Sequence, residues 1–166
     1  MTSTIEKHLM YKVRKPNDIV MRNVYLLGSP WECDVVRVTP AGYFTEYEVK
    51  KTRSDFQADF RKTSGWRENG QGKHDVYSGQ AFVSETWRRI RIPKQFYFVL
   101  PTGMVQCSEL PDHAGLIEFS EVAERRLVFS TVRKAPRIKH CTKIDADVVW
   151  NLAVKASWKL MFGRAS

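Results

Sequence analysis

The chain has 166 residues, of which 43% are apolar and 12% aromatic, which suits one globular domain with a real core and excludes a disordered chain. No apolar run reaches the ~20 residues that span a bilayer, and the N-terminus has no charged segment followed by an apolar one, so a cytoplasmic protein without a membrane partner is expected. Lys and Arg number 27 against 18 Asp and Glu, a formal charge of +9 that favours a polyanion such as nucleic acid as partner, although many basic proteins are merely soluble.

In chain order, Ser3 and Glu6 form a capping box that predicts a helix through about Lys12, ended before Pro16. Ile19 to Leu27 reads as a strand, closed by a turn at Gly28-Ser29-Pro30. Glu32 to Thr39 and Tyr43 to Lys50 follow as two strands joined by Pro40-Ala41-Gly42, a three-residue connection with Gly in the left-handed position. Ser54 and Gln57 predict a second capped helix, with Phe56 and Phe60 on its inner stripe. Thr63 to Ser78 is polar and Gly-containing and reads as a long loop. Gln95 to Leu100 is an apolar run, as in a strand covered on both faces. Gly115 to Phe119 and Leu127 to Val132 add two shorter strands. The last element is a helix from about Asp147 to Phe162. Val149, Leu152, Ala153, Ala156 and Leu160 form its expected buried stripe, with Gly163 as its cap. The order predicts a single domain over residues 1–166, an α/β fold with a mixed sheet flanked by helices. Cys33, Cys107 and Cys141 are odd in number and form no Cys-x-x-Cys pair, so reduced thiols are expected rather than a zinc site.

The hairpin carries the chemistry. Symmetric pairing about Ala41 places Asp34 opposite Glu48, Glu32 opposite Lys50 and Val36 opposite Glu46, each pair sharing one face. That face gathers Glu32, Asp34, Glu46, Glu48 and Lys50, while Cys33, Val35, Tyr47 and Val49 face a core. Carboxylates converging from two strands suit a hard cation, Mg²⁺ or Mn²⁺. The same alternation also describes a solvated sheet face with ordinary cross-strand ion pairs.

Asp34, thirteen residues, then Glu48-Val49-Lys50 resembles the core signature of the PD-(D/E)XK nuclease superfamily. Glu32-Cys33-Asp34, Glu46 to Lys51, Ser54-Asp55-Phe56, Asp59, Lys62, Lys73-His74, Phe96 to Pro101, Ala114 to Ile117 and Lys134 to Arg137 extend the likeness to its MmcB-like, DNA-repair and phage-associated branch. Cys33 stands where the superfamily's general motif has Pro. The resemblance implies a restriction-endonuclease-like core and a Mg²⁺- or Mn²⁺-dependent nuclease acting on nucleic acid, with DNA expected, in repair or phage nucleic-acid processing. It implies Asp34 and Glu48 as metal ligands, the Val49 carbonyl as a third, Lys50 beside the attacking water, and a contribution from Glu6 on the first helix. A non-catalytic nucleic-acid-binding or assembly protein on the same fold is the alternative.

Asp55 is explained by the helix dipole, and Asp59, one turn on, is a candidate outer-shell partner of the metal or of Lys50. Lys62, Lys73 and His74 are candidate phosphate clamps or proton-transfer groups, or else part of a solvated loop. Arg88, Arg89, Arg91 and Lys94, with Trp87 beside them, form a candidate backbone-binding strip. Trp150 and Trp158 are expected to pack in a core or against a partner. The sequence leaves the oligomeric state open.

Overall fold

The structure, a computed structural model, describes residues 2–26, 31–61, 72–80, 90–122 and 126–162. Six strands form one mixed sheet in sequential order: β1 (Ile19–Tyr25), β2 (Glu32–Val38), β3 (Phe44–Val49), β4 (Gln95–Pro101), β5 (Ala114–Val122) and β6 (Arg126–Arg133). β1, β2 and β3 make an antiparallel meander. β3, β4 and β5 run parallel, and β6 returns antiparallel to β5. Among the described residues, four α-helices accompany the sheet: α1 (Thr2–Val13), α2 (Arg53–Asp59), α3 (Lys73–Ser78) and α4 (Ala146–Phe162). The expected α/β architecture, a mixed sheet flanked by helices, is what the chain adopts. Among the described residues no helix is long and apolar enough to cross a membrane.

The sheet is covered on both faces, as parallel strands require. Ile5, Leu9 and Val13 of α1 pack on Val35, Tyr47, Val49, Tyr97 and Val99. On the opposite face, Phe56 of α2 and Val76 and Tyr77 of α3 pack on Phe96, Phe98 and Leu100. Beside them, Val148 and Leu152 of α4 cover Val36, Val38 and Phe44.

Several local expectations are corrected. The Thr63–Ser78 loop contains α3, opened at Gly72 and closed by Gly79 at φ 79°. Six residues are too few to display helical periodicity, so only the flanking glycines signal it. The cap of α2 is Thr52, whose hydroxyl accepts the Asp55 N–H, and not Ser54. α1 begins at Thr2, which puts Ser3 inside the helix. In α4 the buried positions are Val148 and Leu152, with Ala153 exposed. Trp150 is 71% exposed and Trp158 55%, so neither packs in the core. Leu27, the Gly28-Ser29-Pro30 turn and Gly163 lie outside the described residues, and nothing is described of the Leu160 side chain.

The hairpin follows the expected register from Val38↔Phe44 to Val35↔Tyr47, including Val36 opposite Glu46. Its turn places Gly42 at φ 81°, where the Cβ of any other residue would sit 3.1 Å from the Ile144 carbonyl oxygen. Past Val35 the ladder stops. Glu32 pairs with Tyr25 on β1 instead of facing Lys50, and it is exposed. Asn23, at φ 51°, stands where the β1–β2 register skips Asp34. Cys33 beyond this break packs with Val24, Val36 and Phe44, on the face away from Val35. All three cysteines are free, with Cys33 buried.

Candidate active site

β3 is buried along its whole length, so Glu46 and Glu48 point into the protein beneath α2 and α3 rather than into solvent. Buried carboxylates demand partners. The partners come from three segments: Lys50 just after β3, Asp59 at the end of α2 and Lys73 at the start of α3, all buried.

Together they form one continuous polar chain. The Tyr77 hydroxyl donates to Glu46 Oε2 at 2.6 Å. Lys73 Nζ pairs with Glu46 Oε1 and lies 2.7 Å from Glu48 Oε2. Lys50 Nζ pairs with Glu48 Oε1 and lies 2.9 Å from Asp59 Oδ1. Asp59 Oδ2 is 2.9 Å from His74 Nε2, and His74 Nδ1 is 3.1 Å from His113 Nε2. Beyond the two histidines lies a cavity of about 660 Å³, also lined by Phe60, Tyr77 and His140. Buried lysines thus alternate with carboxylates from Glu46 to Asp59, and imidazoles carry the chain onward to a cavity wall.

Asp34 stands at the edge of this chain. Its Oδ2 accepts the Val49 N–H at 2.8 Å, which fixes the carboxylate against the Glu48-Val49-Lys50 triplet. Burial raises its pKa to about 7, and the nearby Glu48 charge adds to the rise. The Val49 N–H, Lys50 and Lys73 oppose it without cancelling it. Burial pushes Asp59 up as well, but the His74 hydrogen bond, Lys73 and Lys50 prevail and hold it well below the usual carboxylate range. Lys73 is the reverse case: burial works against its charge, and Glu46 and Glu48 overcome that and raise its pKa. Burial, then His74 and Arg133, lowers the His113 pKa to about 3.

Asp34, Glu46, Glu48, Lys50, Asp59, Lys73 and His74 are therefore brought together, although Asp34 and Glu48 are not ladder partners. Glu6 is buried on α1 and pairs with Arg22 at 3.6 Å, away from this chain, and Glu32 is exposed. Arg91 pairs with Asp145, and Lys94 sits over the Tyr43 ring. Lys62, Trp87, Arg88 and Arg89 lie outside the described residues. The members missed by sequence reasoning are Tyr77 and His113. Tyr77 belongs to the unrecognised α3. His113 lies 39 positions from His74, and no motif links the two.

Among the described residues, no three His, Cys, Asp or Glu side chains are arranged to hold a metal ion. In this conformation each Glu48 oxygen is engaged by an ammonium group. The donor chemistry nevertheless fits a hard divalent cation. Asp34, Glu48 and the Val49 carbonyl offer only oxygen. Burial, with Glu48 beside it, makes the Asp34 charge costly to hold, and a bound cation would offset that cost. Among the described residues of the chain, four carboxyl groups, of Asp34, Glu46, Glu48 and Asp59, face two ammonium groups, of Lys50 and Lys73, and Asp34 holds its proton up to about pH 7.

No family model and no curated protein matches the chain. Among solved structures it is similar to a protein of unknown function from Silicibacter pomeroyi, with a TM-score of 0.52 and 16% identity over 98% of this chain and 89% of that one. At that identity the likeness shows a shared fold alone.

Proposed function

We propose that the chain is a metal-dependent nuclease with a restriction-endonuclease-like core, hydrolysing phosphodiester bonds in nucleic acid, with DNA as the expected substrate. The observation that carries this reading is the geometry of Asp34, whose carboxylate is fixed by the Val49 N–H against the Glu48-Val49-Lys50 triplet at the edge of a buried cluster of carboxylates and lysines. Asp34, Glu48 and the Val49 carbonyl would hold Mg²⁺ or Mn²⁺. When bound, such an ion supplies Lewis acidity toward a phosphate oxygen and lowers the pKa of its water.

The chain's own residues do the rest. Lys73 neutralises Glu46 and holds Glu48 in place from above. Asp59 draws the Lys50 ammonium away from sole dependence on Glu48, so Lys50 can turn an N–H toward a phosphate oxygen without leaving its charge unpaired. His74 fixes the other oxygen of Asp59 and so orients the pair. Burial of the network keeps bulk water from screening it.

A second reading is favoured by one observation: Lys50 and Lys73 already engage both oxygens of Glu48. A protein that keeps the fold and binds nucleic acid without cutting it would show the same closed ion pairs. Cleavage of labelled single- and double-stranded DNA and RNA, with Mg²⁺ and with Mn²⁺, separates the two. The nuclease reading expects metal-dependent cleavage that Lys50→Ala abolishes while nucleic-acid affinity stays within about twofold, since one lysine contributes little to the total charge. Binding with no cleavage of any substrate would favour the second reading. Cleavage that survives Lys50→Ala would overturn the assignment of Lys50.

A further inference from the structure

The ring of Tyr43, at the entrance to β3, is surrounded by cations. Lys94 Nζ lies 5.0 Å from its centroid, Lys143 Nζ 5.2 Å and the Arg137 guanidinium carbon 5.8 Å. With one shared centroid, no two of these charges are more than about 11 Å apart, close to the ~8–10 Å over which salt screens them. Tyr43 and the three cations come from separate stretches of the chain, and backbone hydrogen bonds hold those stretches together. The Lys94 N–H donates to the Phe44 carbonyl at 2.8 Å, the Ile138 N–H to the Lys94 carbonyl at 2.9 Å, and the Ile144 N–H to the Gly42 carbonyl at 2.8 Å. The fold itself therefore imposes the convergence of like charge. The nearby carboxylate of Asp145 is already engaged, pairing with Arg91 and accepting the Val148 N–H at 3.1 Å.

A second group of basic residues lies on the α1 side of the sheet. Gln95, the neighbour of Lys94, lines a cavity of about 340 Å³ whose other lining residues include Lys12, Arg14, Lys15 and Lys134. Among the described residues no carboxylate lines it. Like charges gathered at this density repel one another, and a polyanion laid along them relieves that repulsion and releases its own counterions. Tyr43 is half-buried with cations packed around it, so it orders the cations and is not a platform on which a base stacks. The groups offered outward are Lys and Arg, which read phosphates and not base edges.

We propose that the cluster of Lys94, Arg137 and Lys143 around Tyr43, continued along the Lys12–Lys134 cavity, is a track for the phosphodiester backbone of a nucleic acid, bound without regard to sequence. Tyr43 stands just before β3 and Glu48 near its end, about 17 Å apart at the usual rise, and the Lys12–Lys134 cavity lies on the α1 face of the sheet while the carboxylate chain lies beneath α2 and α3. The identity of the polymer rests on the nuclease reading, but docking on the track does not require turnover.

The test is fluorescence anisotropy of a labelled DNA duplex and of the RNA duplex of the same sequence, in EDTA, over about 50–200 mM salt. Lys94→Gln, Arg137→Gln and Lys143→Gln combined should weaken binding by about tenfold or more at the low-salt end and flatten the log–log salt slope by about 2 to 3. The charge-keeping triple Lys94→Arg, Arg137→Lys, Lys143→Arg should retain the wild-type slope, with melting temperatures verifying that both variants fold. An unchanged slope in the Gln triple, equal loss in the charge-keeping triple, or binding to anionic lipid vesicles but to neither duplex would overturn the track. Restoring Mg²⁺ separates the two proposals: wild-type protein that binds through the track but never cuts supports the track and removes the nuclease reading.

Discussion

Lys73 Nζ lies 2.7 Å from Glu48 Oε2, a contact across 25 positions of sequence that joins a six-residue helix to the middle of the sheet. The ammonium is 2% exposed at the side chain and serves two carboxylates, Glu46 and Glu48. Removing one member of such a set strands the others in a low dielectric. Lys73→Met should therefore destabilise the fold by about 3–5 kcal/mol in urea unfolding. Adding Glu46→Gln should recover part of that loss. A loss under about 1 kcal/mol would mean that water reaches the carboxylates.

Asp34 carries the opposite imbalance. Its pKa is raised in the folded protein to about 7 from an ordinary value of 3.8, so the folded state holds its proton more tightly than the unfolded chain. Stability therefore falls as pH rises from about 4, and the penalty is complete above about 7. Asp34→Asn keeps an oxygen for the Val49 N–H but carries no charge. It should be more stable than wild type at pH 8, on the order of 1–2 kcal/mol, with the difference vanishing near pH 4. Melting curves across that range check it, and a variant less stable than wild type at pH 8 would contradict it.

His113 predicts loss of stability on the acid side. Its pKa is lowered to about 3, so the folded protein keeps the imidazole neutral where the unfolded chain would protonate it. The stability it contributes is whole above the unfolded value of about 6.5 and is lost as pH falls toward 3. His113→Gln should flatten the decline of melting temperature between pH 6.5 and about 4. An unchanged decline would place the acid-sensitive group elsewhere.

Much of this site is legible along the chain. Alternation in β2 and β3, and a turn ending on Gly42, fix the register that puts Glu46 on the same face as Val36. The Glu48-Val49-Lys50 triplet follows from strand geometry alone. What local pattern does not carry is the cover. A strand written Phe-Thr-Glu-Tyr-Glu-Val looks half-solvated, yet α3 buries its acidic face by setting Lys73 into it. The cost of burying Glu46 and Glu48 is offset by residues far away in sequence, and no periodicity reports such pairing. The Cys33 face was misassigned for a related reason, since one left-handed residue on the neighbouring strand, Asn23, stands at the interruption of the ladder.

In the proposed nuclease, Asp34 and Glu48 take a divalent cation. Anomalous difference density from crystals soaked in Mn²⁺ tests it directly. A peak is expected within about 2.2 Å of oxygen atoms of both carboxylates, with Lys50 turned from Glu48 toward Asp59, and no peak in Asp34→Asn crystals. Lysines still closed on Glu48 in fully soaked wild-type crystals, with no peak between the two carboxylates, would contradict it.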